Sequence, residues 1–169
     1  MKLICAILCL SFLAISCQPV VDNSVNEAFE KNSKTVMTYL DGFQNENLDH
    51  AAIFAEDFVM FDTHYGVEKD SLSLSDIIEE DKKAWAGADF KIISKINLLP
   101  GVSADTKLAD GSVRYYGSWE ITLPATDSTA VKSGVIRLYE SFDFNEEGKI
   151  VFQQYYGDFG GLNKYFSSK

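Results

Sequence analysis

A carboxylate interrupts an apolar strand pattern near the C-terminal end of this chain. Ile136, Leu138, Phe142 and Phe144 alternate onto one face, and Glu140 stands among them. A carboxyl in that position must be paired, be protonated, or line a cavity that admits water. Burial raises its pKa, which suits it to donate a proton or a hydrogen bond. A second reading places this part of the strand at an edge or a twist, so that Glu140 reaches solvent. Asp62 is the other candidate. It ends the short apolar run FVMF and is followed by Thr63, His64 and Tyr65, a cluster able to exchange protons or donate hydrogen bonds. Its structural alternative is a strand-terminal Asp making a turn.

Other chemistries find little support. His50 and His64 are the two histidines, with no nearby cysteine and no spacing of three or four along a helix, so no metal centre is expected. GDFGG at 157–161 lies after the last strand-like run and not between a strand and a helix, which argues against a phosphate loop and for a turn off the sheet. No cofactor is expected.

Cys17 carries a different kind of chemistry. It follows Lys2 and the uncharged apolar run 3–16, which ends LAIS, the pattern of a lipoprotein signal. Fourteen helical residues rise roughly 21 Å, short of the ~30 Å hydrocarbon core, so a permanent span is not expected. The expectation is removal of residues 1–16, lipidation of Cys17, a tether over 17–24 and one domain over 25–166. The alternative is ordinary cleavage that leaves Cys17 as a stray thiol. An exported chain without a cysteine pair has no disulfide, so its stability rests on its core. The expected address is the bacterial cell envelope, with the outer membrane favoured because Gln18 is no clear retention signal.

With the leader removed, 153 residues remain, carrying 14 Lys and Arg against 25 Asp and Glu, a net charge of −11. Phosphates and anionic head groups repel such a surface. Nucleic acid is therefore not an expected partner, and membrane contact is expected through the acyl chains on Cys17. The length is that of one domain with room for a real core.

The elements that must position Glu140 and Asp62 follow from periodicity. Ser24 and Glu27 have capping-box spacing, and Val25, Phe29, Val36, Leu40 and Phe43 keep a helical stripe to about residue 45. A shorter helix is expected over 48–55, then a strand at 58–61. Ser73 and Asp76 mark another helix start, with Ile77, Ala84, Trp85 and Ala88 on one face. After residue 89 the period becomes two. Strands are expected over 90–98, 113–123, 136–144 and from Ile150 toward Tyr156, with the turn NEEG at 145–148. Helices first and an antiparallel meander after them predict an α+β fold with helices on one face of a curved sheet. The tail from Leu162 is expected to be a helical turn or disordered.

That order, with FQNENLDHAAIFAEDFVMFD early and SFDFNEEGKIVFQQYYGDF late, resembles the NTF2-like superfamily, which includes the SnoaL-like polyketide cyclases and ketosteroid isomerase. The resemblance spans roughly residues 25 to 160. It implies a cone: a strongly bent sheet around N-terminal helices, an apolar pocket at the wide end, and a homodimer through the sheet face. Laid on this chain, the isomerase pattern matches Tyr39, in MTYLDGF, to the oxyanion-donating tyrosine. It matches Asp62 to the general base and Glu140 to the protonated acid of the oxyanion hole. The chain departs from the pattern by a one-residue deletion between Tyr39 and Asp62, and by Glu where the isomerase has Asp.

If the trio acts, Asp62 removes a proton alpha to a carbonyl while Tyr39 and neutral Glu140 stabilise the enolate oxygen. A cyclase-like variant instead pairs Asp62 with His64 or uses another acid. Aromatic residues are plentiful, and Trp85, Tyr116, Trp119 and Tyr155, with His64, are the expected pocket lining around a small apolar ligand. Binding of such a molecule is the first reading, a SnoaL-like or isomerase-like enzyme the second, and a non-catalytic dimerisation or interaction module of the envelope the third.

Overall fold

The structure, a computed structural model, describes residues 23–67 and 70–168. The signal segment, Cys17 and residues 18–22 of the tether lie outside the described residues. Among the described residues no helix is long and apolar enough to cross a membrane.

Among the described residues four helices and seven strands follow in the order α1 (Ser24–Gln44), α2 (His50–Ile53), β1 (Phe54–Phe61), β2 (Ser71–Ser73), α3 (Leu74–Gly87), β3 (Asp89–Ile92), β4 (Asn97–Val102), β5 (Ala109–Leu123), β6 (Lys132–Phe144), β7 (Ile150–Tyr156) and α4 (Phe159–Ser167). The strands form one sheet in the order β2, β1, β7, β6, β5, β3, with β4 also paired to β5. The long β5 serves two neighbours on one edge. Its C-terminal part pairs with β3 and its N-terminal part with β4. Helices pack on the concave face of this curved sheet, and the fold is α+β.

Local chemistry accounts for most boundaries. Ser73 caps α3 through a complete capping box with Asp76, as the spacing predicts. The cap of α1 differs from expectation: Asn23 is the N-cap, its carbonyl accepting from the Glu27 backbone N–H at 3.0 Å, and no side-chain cap bond forms there. Val36 and Leu40, four apart on α1, are fully buried against Phe54, Phe58, Val113, Tyr115, Phe142 and Ile150. On the same stripe Asn32 donates from Nδ2 to the Gly111 carbonyl at 2.9 Å, tying α1 to the start of β5. The tail from 159 is helical. Asp158 caps α4 by accepting from the Gly161 N–H at 2.8 Å, and Lys132 Nζ donates to the Tyr165 and Ser168 carbonyls at its C-terminal end.

Three expectations about the elements are corrected. The helix expected over 48–55 is one turn, because Phe54 already enters β1. The strand expected over 90–98 is two strands, broken at 93–96, where the Ile93 N–H reaches the Ser118 carbonyl and Ser94 Oγ accepts from the Ser118 N–H. The sheet is mixed and not a pure meander, since β1 lies parallel to β7. That pairing joins segments about ninety residues apart, and no local pattern announces it.

Candidate functional site

Between the helices and the concave face lies a cavity of about 310 Å³. Its walls are apolar for the most part: Phe43 from α1, Met60 from β1, Ile77 and Ala84 from α3, Phe90 from β3, Trp119 and Ile121 from β5, Ile136 and Leu138 from β6, and Phe159 from α4. Into it come seven polar side chains, those of Tyr39, His64, Glu80, Asp81, Glu140, Gln153 and Tyr155.

Glu140 is 4 % exposed and lines this cavity, so of its two readings the buried one holds. Burial pushes its pKa up to about 7, and a hydrogen bond from Gln153 works the other way. Gln153 is the hub of the inner site. Its amide Nε2 donates to Glu140 Oε2 at 3.1 Å and to the Tyr39 hydroxyl oxygen at 3.0 Å. With that oxygen accepting, the Tyr39 proton is free to be donated into the cavity. Tyr39 is itself pushed well above the usual tyrosine range, by burial first and then by the nearby charge of Glu140. Tyr39 and Glu140 thus share one cavity, bridged by an amide.

Asp62 is placed differently. It is not among the lining residues; its Oδ1 accepts from the His64 backbone N–H at 2.9 Å and from the His64 ring Nδ1 at 2.6 Å. His64 is the member of the pair that lines the cavity. With Nδ1 donating to the carboxylate, Nε2 is left as the acceptor. Thr63 holds this loop by donating its hydroxyl to the Tyr155 carbonyl. Asp62 and His64 are thus in contact, with the imidazole between the carboxyl and the cavity.

Trp119 and Tyr155 line the cavity, and two other expected residues do not. Tyr116 is corrected: alternation along β5 sends Tyr115 inward, fully buried, and Tyr116 to the outer face, 45 % exposed. There it stands in register with Tyr139 and Tyr156, with ring centroids 5.0 and 6.2 Å apart. Trp85 is corrected too: its Nε1 donates to the Phe43 carbonyl at 3.0 Å and its ring packs on Phe43 and His50, so it buttresses the α1 end from behind.

A second Asp–His pair reaches the cavity from α3. Asp81 lines it, and its Oδ2 lies 2.8 Å from His50 Nε2 on α2, with His50 stacked on Phe54. Burial raises the Asp81 carboxyl, and His50 holds it down in part. Glu80, beside it at the mouth, is raised by burial and then by the Asp62 charge. Tyr155 stands among four carboxyls; burial, then Asp62, Glu80, Glu140 and Asp81, push its hydroxyl well up. Among the described residues no group of His, Cys, Asp and Glu is placed to hold a metal ion.

Gln153, Asp81 and Glu80 are the polar residues that sequence reasoning missed. Asp81 had a signal, since it falls four residues after Ile77 and four before Trp85 on an apolar helix stripe, the same anomaly that exposes Glu140. Gln153 had none. A bulge between Ile150 and Phe152 reverses the alternation of β7, so Phe152 turns out to meet Phe61 and Gln153 turns in.

No protein-family model matches the chain, and no curated protein matches it in sequence. Solved structures do match its fold. One from Shewanella denitrificans, described as a SnoaL-like polyketide cyclase, shares 11 % identity at a TM-score of 0.61, over 82 % of this chain and 98 % of that one. An NTF2-like protein from Burkholderia xenovorans shares 13 % at 0.59, over 80 % and 95 %. BvnE pinacolase from Penicillium brevicompactum shares 13 % at 0.55, over 84 % and 94 %. At such identities the likeness is one of architecture, and the architecture of this chain is the NTF2-like, SnoaL-like fold.

Proposed function

We propose that this chain binds a small, largely apolar molecule in its conical pocket. The observation that carries the reading is the cavity itself: about 310 Å³, aromatic and aliphatic walls, and a few polar side chains converging on it. The test is titration with a neutral solvatochromic dye such as N-phenyl-1-naphthylamine. The wild type gives saturable, blue-shifted emission, and Leu138→Trp, which fills the cavity, abolishes it. Emission unaltered by the filled cavity would place any binding elsewhere and end the reading.

A second reading, proton-transfer catalysis, is favoured by the Asp62–His64 pair facing Tyr39 and Glu140 across the same space. His64 Nε2 takes a proton alpha to a carbonyl, and Tyr39 and neutral Glu140 donate to the oxygen that gains charge. Structural neighbours described as a polyketide cyclase and a pinacolase lend the fold to such chemistry. Deuterium exchange at the alpha position of an enolisable ketone, lost in His64→Gln, is the expected result; exchange no faster than in buffer removes this reading and leaves binding.

Two further parts of the reading concern placement. The domain is held on the envelope by lipid on Cys17, to be checked as an acyl mass on the N-terminal cysteine that Cys17→Ser lacks. A second copy pairs on the outer sheet face, where Tyr116, Tyr139 and Tyr156 form their row. Light scattering that reports a dimer in the wild type and a monomer in Tyr139→Glu is the supporting outcome.

A further inference from the structure

The charge of the cavity is one-sided. Glu80 and Asp81 come to it from α3 and Glu140 from β6, with Asp62 just behind His64, while no Lys or Arg among the described residues lines it. Asp81 has His50, and Asp62 has His64. Glu140 has only the neutral Gln153 amide, on Oε2; no described group donates to its other oxygen, Oε1, although the residue is 96 % buried and faces the cavity. A buried carboxyl with an open oxygen and no counter-charge is a group waiting for a donor or a cation.

The walls around it suit a cation. Tyr39, Phe43, Trp119 and Tyr155 present aromatic rings, and ring faces attract ammonium groups by their quadrupole, most strongly where water is excluded. An anion meets the reverse: carboxyls from α3 and from β6, and no Lys or Arg among the lining residues to receive it. Fatty-acid and phosphate-bearing ligands are disfavoured by the same field.

We propose that the cavity takes an organic cation, an ammonium group carried on an apolar body, with the ammonium at Glu140 and the body along the aromatic and aliphatic wall. This rests on the reading that the cavity is a small-molecule site and goes further by naming the ligand class. Glu140 supplies the ion-pair partner, Tyr39 and Trp119 the ring faces, and Glu80 at the mouth draws the cation in. No covalent step is involved.

The experiment is calorimetric titration of the full chain with three probes of one shape: phenethyltrimethylammonium, its carbon isostere (3,3-dimethylbutyl)benzene, and the anion 4-phenylbutyrate. The expected order is cation tightest, by about tenfold or more over the isostere, with the anion weakest. Glu140→Gln, which keeps the shape and removes the charge, is expected to lose about tenfold in affinity for the cation and less than about threefold for the isostere. Should Glu140→Gln fail to fold, Glu80→Gln at the exposed mouth serves in its place, with a loss for the cation alone. An isostere that binds as tightly as the cation, or a cation indifferent to both substitutions, overturns the proposal and leaves the pocket reading intact. Failure of all three probes to bind overturns both.

Discussion

Asp81 and His50 reverse the order of the other acid–imidazole pair in the cavity. At the mouth the imidazole of His64 lines the space and Asp62 stands behind it; on α3 the carboxyl of Asp81 lines the space and His50 stands behind, 2.8 Å away. The second arrangement makes a carboxyl the presented group, and the ring opposes the upward push that burial gives its pKa. Removing the ring leaves a carboxyl that is only 13 % exposed without its partner. His50→Ala is therefore expected to cost about 2 to 3 kcal/mol, and the double variant with Asp81→Asn less than the two single losses together. Urea midpoints of the four proteins of this cycle decide it; additive losses would show that the pair is not coupled.

Glu140 gives stability a pH dependence whose direction is opposite to that of an ordinary surface carboxylate. Its pKa rises from 4.5 to about 7 on folding, so between those values the folded chain keeps a proton that the unfolded chain has released. Stability from this group is fully present below about pH 4.5 and is lost as pH rises through about 7, by roughly 3 to 4 kcal/mol at 1.4 kcal/mol per unit. Glu140→Gln removes the ionisation. It is expected to match the wild type near pH 5 and to exceed it near pH 8, as read from denaturant midpoints across that range. A wild-type profile that this substitution leaves unaltered would show that Glu140 is solvated.

Whether a residue of this site was legible in the sequence depended on whether its strand or helix was regular. Glu140 was legible because β6 keeps its alternation, and the Ser73–Asp76 cap because its two residues are three apart. Asp81 was legible in principle by the same logic applied to α3. Gln153 was not, because a bulge inverts β7 without leaving a glycine or proline as a mark. Tyr116 was misplaced although β5 is regular: Tyr115 and Tyr116 are adjacent, and the burial of Val113 and Trp119 on the odd positions already assigned the inward face to Tyr115. Asp62 was legible as a candidate, but its turn to His64 is a contact two residues away that only the loop geometry fixes.

Gly117 occupies the inward position between Tyr115 and Trp119, and its missing side chain is what lets the Tyr115 ring lie down along the strand. A Cβ there would stand 1.9 Å from the Tyr115 hydroxyl oxygen. Tyr115 is fully buried and has no room to withdraw. Gly117→Ala is expected to destabilise by about 1 to 3 kcal/mol through overpacking. Tyr115→Phe deletes a hydroxyl that has no hydrogen bond of normal geometry, and the double variant is expected to recover part of the loss. Thermal unfolding of the three variants reads this; a neutral Gly117→Ala would show that the ring moves freely.

Gln153 is the residue on which the inner site depends most, because one amide group serves both Tyr39 and Glu140. Its bond to Glu140 favours the ionised carboxylate, since an N–H donates to the charged form more strongly than to the neutral one. Gln153→Leu withdraws that donor in a site that remains buried, so the Glu140 pKa moves further up and the Tyr39 hydroxyl loses its only described hydrogen bond. The sign follows. At low pH, with Glu140 neutral in both proteins, the variant loses the two neutral hydrogen bonds, about 1 kcal/mol each. At high pH it also loses the donor to a charged group, so its deficit widens as pH rises through about 7. Denaturant midpoints of Gln153→Leu and wild type from pH 5 to 8 measure the gap. A gap constant across that range would mean that Gln153 packs against Glu140 without tuning it, and the coupling between Tyr39 and Glu140 would then have to run through the cavity itself.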